Sequence, residues 1–69
     1  MVVLGVDVTK EALLEIAKKA NVEAKGTPAS NVINVKFGDG SFARFVQTAY
    51  KEGYRVSNGQ YGRVIVRRK

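Results

Sequence analysis

Apolar and polar positions follow two rhythms along this chain, a period near two and a period near 3.6. The first stretch, Val2 to Val8 (VVLGVDV), is short, apolar and rich in β-branched residues, and it predicts a strand. Gly5 weakens it locally and marks a bend or a close backbone contact. From Lys10 to about Asn21, Leu13, Ile16, Ala17 and Ala20 recur at the spacing of one helical face, which Leu14 widens. Thr9 is placed to cap this helix, with Glu11 in its first turn. Glu15 precedes Lys19 by four residues, a favourable helical pair. Glu23 to Asn31 is small and polar and contains Gly26 and Pro28. It predicts a connecting loop, the longest irregular stretch and a candidate for ligand contact.

Val32 to Phe37 returns to strict alternation, with Ile33, Val35 and Phe37 on one side and Val32, Asn34 and Lys36 on the other. After Gly38-Asp39-Gly40, the residues Phe42, Phe45, Val46, Ala49 and Tyr50 take helical spacing. Asp39 or Ser41 is placed to cap this second helix, and Gly53 to end it. The last stretch, GYRVSNGQYGRVIVRRK, reads as a hairpin about Asn58-Gly59, a pair that tolerates the positive φ of tight turns. A loop with an odd number of residues, such as Asn58-Gly59-Gln60, sets Val56 opposite Gly62 and Tyr54 opposite Val64. One face then carries Tyr54, Val56, Val64 and Val66. The other carries Arg55, Ser57, Tyr61, Arg63, Ile65 and Arg67. A two-residue loop would put arginines on the apolar side, so the odd loop is preferred.

The predicted fold is α+β: a two-layer α/β sandwich of β-α-β-α-β-β order, with a C-terminal β-hairpin and both helices on one face of a mixed sheet. Residues 1–69 make one domain. A chain this short buries only about 60% of its unfolded surface, so stability is expected to be modest, and a homodimer would add to it.

Charge changes the picture at one end. Twelve Lys and Arg oppose six Asp and Glu, a net charge of +6. From Gly53 onward there are basic residues and no acidic one, whereas the preceding part is nearly balanced. An excess of this kind draws polyanions. Histidine and cysteine are absent, which removes the usual general base, the thiol nucleophile, zinc ligands and disulfides. No catalytic residue, metal or cofactor is expected, and the chain is not read as an enzyme. GDGS lacks the lysine and the spacing of a phosphate-binding P-loop. ALLEIAKKANV has some similarity to the first helix of a helix-turn-helix, but Gly26 and Pro28 stand where the second helix would follow. No signal peptide and no membrane-spanning run is apparent, so a cytoplasmic protein is expected.

Two functions remain open. The first is a small basic nucleic-acid-binding protein, for DNA or RNA, with mainly electrostatic contacts and low sequence specificity. Its candidate residues are Lys36, Arg55, Tyr61, Arg63, Arg67, Arg68 and Lys69, with the arginines on phosphates and Tyr61 stacking on an unpaired base. The second is a protein-interaction module, a small regulator or inhibitor that meets an acidic protein surface. Val32 and Ile65, apolar on an otherwise polar face, would belong to that interface.

Overall fold

The strand at the middle of the sheet is the first one in the chain. The computed structural model describes residues 1–69 and contains β1 (Val2–Val6), α1 (Lys10–Lys19), β2 (Glu23–Gly26), β3 (Val32–Lys36), α2 (Ser41–Lys51), β4 (Tyr54–Asn58) and β5 (Val64–Arg68). The five strands lie in the order β2-β3-β1-β5-β4. β1 pairs antiparallel with β3 and parallel with β5, and the two flanking pairs, β2·β3 and β4·β5, are antiparallel. Each helix thus joins two parallel strands that are not neighbours. β3 separates β1 from β2, and β1 with β5 separates β3 from β4. These are two split β-α-β units. Both helices lie on one face, as the α+β sandwich requires.

Helix α1 forms where the sequence places it. Thr9 accepts a hydrogen bond at Oγ1 from the Ala12 N–H at 3.3 Å, and Leu13, Ile16 and Ala17 are buried. Its carboxyl end is closed from outside. Arg44 of α2 donates from Nε to the Ala20 carbonyl at 3.1 Å, so a side chain satisfies an acceptor that the helix leaves free. α2 differs at its start. Neither Asp39 nor Ser41 caps it; the N-cap is Gly40, at φ 75°. The Ser41 hydroxyl accepts from the Gly38 N–H at 2.6 Å and donates to the Gly38 carbonyl at 2.9 Å, bracing the turn instead. Gly53, at φ 90°, follows the C-cap in the left-handed conformation expected of it. Of the three phenylalanines, only Phe45 is fully buried. Phe37 packs edge-on to both Phe42 and Phe45, and Phe42 is left at the exposed margin.

The core is one cluster between the sheet and the helices. Val3, Ile33, Val64 and Val66 from the strands meet Leu13, Ile16, Phe45 and Ala49 from the helices. Gly5 allows β1 to turn sharply into α1. A Cβ on Gly5 would lie 2.2 Å from the Val8 carbonyl oxygen, so only glycine fits this close approach.

Two parts of the sequence reading are corrected. The first is the segment expected to be a loop over Glu23–Asn31. Glu23–Gly26 pairs with β3 as an edge strand, setting Glu23 opposite Lys36 and Gly26 opposite Ile33. The remainder is tied down as well. Lys10 Nζ donates to the Thr27 carbonyl at 2.9 Å, and Thr27 Oγ1 donates to the Val32 carbonyl at 2.7 Å. The strand has no apolar alternation because it lies at the edge and is largely exposed. The second correction is the hairpin register. Val56 stands opposite Val66 and Tyr54 opposite Arg68, so the connection is the five residues Gly59–Arg63, closed by the Gly59 N–H donating to the Arg63 carbonyl at 2.7 Å. Asn58 stays in β4, opposite Val64. Longer strands bury Val64 and Val66 against the helices, and the shift of four residues keeps each strand side chain on its expected face.

Candidate nucleic-acid interface

The face of the sheet turned away from the helices is uncovered. The register puts Leu4 at its middle, with Val32 of β3 on one side and Ile65 of β5 on the other. Val2 and Val6 continue the line along β1. All five are half-buried and form one aliphatic spine. Polar groups flank it. On one side stand Asn34 and Lys36 of β3 and Glu23 and Lys25 of β2; on the other stand Arg67 of β5 and Arg55 and Ser57 of β4.

The charges on this face are poorly matched. Four cations, Lys25, Lys36, Arg55 and Arg67, face one carboxylate, Glu23. The other five carboxylates lie on the helices or the connecting turns. Arg55 and Arg67 stand directly opposite each other across β4 and β5. Like charges in that position destabilise a sheet. Neither has an acidic partner, because the one salt bridge in the protein joins Lys19 to Glu52 at the ends of the two helices, at 2.5 Å. There the Glu52 hydrogen bond, with its charge, raises the Lys19 ammonium above the ordinary value of 10.5. At the β4 edge, Arg55, Ser57 and Arg67 share a shallow recess with Val56, Tyr50 and Lys69.

The residues expected to bind nucleic acid are thus only partly together. Lys36, Arg55 and Arg67 lie on the open face. Lys69 lies beside it, its ammonium 5.8 Å from the centre of the Tyr50 ring. Arg63 directly precedes β5 in extended conformation. Tyr61 is not on a strand. It sits in the β4–β5 connection, 92% exposed, and holds φ at 60°, a conformation uncommon for a bulky residue. Arg68 belongs to the opposite side. It stands across from Tyr54, and its Nε donates to the Asp7 carbonyl at 2.9 Å, so it secures the β1–α1 turn. Val32 and Ile65 do share the open face, and the missing part of their patch is β1.

Sequence reasoning overlooked Val2, Leu4 and Val6, although a signal was present. VVLGVDV is apolar without alternation, and a strand apolar on both faces is one that expects a cover on both. It also overlooked Lys25, hidden in the supposed loop, and Tyr50, which was placed with the apolar residues of α2 and is 46% exposed.

Compared with protein-family models, with curated proteins and with solved structures, the chain has no match in any of the three. No helix is long and apolar enough to cross a membrane.

Proposed function

We propose that this protein binds nucleic acid through the open face of its sheet, mainly by contacts to phosphates and with little sequence preference. The observation that carries this reading is the opposed, unpartnered pair Arg55 and Arg67. A sheet that keeps two guanidinium groups side by side, with its carboxylates elsewhere, is suited to an external polyanion. Lys25, Lys36 and Lys69 extend the positive surface around the pair, and Tyr50 and Tyr61 offer rings near its rim. The role is binding rather than catalysis, and a cytoplasmic setting suits it.

Fluorescence anisotropy with labelled DNA and RNA tests the reading. Four phosphate contacts give a slope of log K against log salt near −3.6, so affinity falls by about a hundredfold between 50 and 200 mM salt. Affinity that ignores salt, or no binding at low salt, refutes it. A second reading, a regulator docking on an acidic protein, is favoured by the aliphatic spine around Leu4. A second copy of the chain suits the spine less well, since a face with four cations and one carboxylate repels its own image.

A further inference from the structure

Resting on the nucleic-acid reading, we infer that the ligand is duplex DNA, held across its minor groove with the aliphatic spine Val2-Leu4-Val6, Val32 and Ile65 facing into the groove. The charge layout is the first ground. Cations stand on both sides of the spine rather than in one track. Lys36 and Arg67 lie on strands two apart, and Lys25 and Arg55 on strands four apart. The register also sets them at opposite ends of the spine: Lys25 and Lys36 flank its Val2 end, Arg55 and Arg67 its Val6 end. A ligand that meets both groups brings negative charge to both flanks with the spine between them, as the two backbones of a duplex do.

The second ground is the chemistry of the spine. It contains no aromatic ring, so unpaired bases gain no stacking platform on it. It contains no donor or acceptor, so it reads no base edges in the major groove. Against an A-form RNA duplex it would strip water from 2′-hydroxyls and return no hydrogen bond. The minor groove of DNA lacks those hydroxyls, and branched aliphatic side chains are the kind that wedge into it. The groove is about 6 Å wide, narrower than the spine, so binding must open it and bend the duplex.

The test compares an A·T-rich DNA duplex of about 20 base pairs, its single strands and the RNA duplex of the same sequence in anisotropy titrations. Donor and acceptor dyes on the two ends of the DNA report bending. Expected are affinity for duplex DNA about tenfold above the other two and a rise in energy transfer on binding. Leu4→Ala and Ile65→Ala each weaken duplex binding roughly tenfold and abolish the bend, with the salt slope unchanged. Circular dichroism verifies that each variant is folded, and Val32→Thr, which keeps the shape and adds a hydroxyl, repeats the test if either is not. Preferred binding to single strands or to RNA overturns the duplex assignment and leaves the nucleic-acid reading standing. Absence of binding to all three overturns both. A stable dimer by light scattering that Leu4→Asp dissociates assigns the spine to a second copy and overturns the inference.

Discussion

Arg55→Glu should make this protein more stable while removing its proposed activity. Arg55 and Arg67 are direct cross-strand neighbours on a solvent-facing surface, with no carboxylate paired to either. An opposite-charge pair in this position stabilises a sheet by roughly 0.2–1 kcal/mol, and a like-charge pair costs a similar amount. Reversing one charge therefore gains about 1 kcal/mol at low ionic strength. For a domain of this size that raises Tm by about 4–8 °C. The groups are exposed, so the gain shrinks as salt shortens the screening length to about 3 Å at 1 M. Arg55→Gln removes the repulsion without adding attraction and falls between the two. The assay is thermal unfolding by circular dichroism at low and high salt, alongside anisotropy titration of duplex DNA. The charge-reversed variant loses the Arg55 contact and gains a carboxylate facing a phosphate, so binding at 50 mM salt falls well over tenfold. An unchanged or lower Tm at low salt refutes the reasoning, since it means that the two guanidinium groups do not oppose each other and need no ligand to explain them.

Three other outcomes follow from the fold. Gly5→Ala forces a Cβ toward the Val8 carbonyl, 2.2 Å away, and should cost about 3 kcal/mol in urea unfolding. Tyr61→Asn puts a residue that tolerates the left-handed region where φ is 60°, and should raise stability by roughly 0.5 kcal/mol in the same assay. The third concerns pH. Glu52 raises the pKa of folded Lys19 above 10.5, so the contribution of the bridge is complete below that pH and fades as pH climbs through the higher folded value. The stability difference from Lys19→Met, followed by chemical denaturation, is therefore flat from neutral pH upward and declines as pH climbs above 10.5.

Much of the fold was legible because apolar spacing is set by burial. Leu13, Ile16 and Ala17 repeat at helical spacing since one side of α1 meets the sheet, and Ile33 and Val35 alternate since one side of β3 does. β2 was not legible, because an exposed edge strand buries little and leaves no pattern in Glu23-Ala24-Lys25-Gly26. In the hairpin, parity survived and register did not. Asn58-Gly59 is a strong local turn signal, but burial of Val64 and Val66 extended the strands past it and moved the positive φ onto Tyr61 and Gly62. That displacement took Tyr61 off the face on which the sequence had placed it. Arg68 was counted among the candidate binding residues for its charge. Charge alone does not say which face a residue takes, and Arg68 alternates with Arg67 onto the helix side. Its hydrogen bond to the Asp7 carbonyl depends on a long-range turn that no local pattern encodes.

The position of β1 explains why one strand serves both stability and the proposed site. It lies at the centre of the sheet, with a parallel neighbour on one side and an antiparallel neighbour on the other. Val3 faces the helices and is fully buried, and the backbone at Gly5 is pressed against Val8. Val2, Leu4 and Val6 point the other way, toward a surface with no cover. An aliphatic side chain there adds little to the fold while half exposed, and under the proposed function its full burial waits for the ligand. A ligand that binds only the folded state adds RT ln(1 + [L]/Kd) to its stability, about 2.7 kcal/mol at a hundredfold excess over Kd. In a 69-residue domain, that increment is large against the modest stability its core supplies. The spine and the opposed arginines are then two aspects of one arrangement. Each leaves the free protein less stable than its fold allows, and each would be relieved by the proposed ligand, which brings negative charge to the flanks and covers the centre.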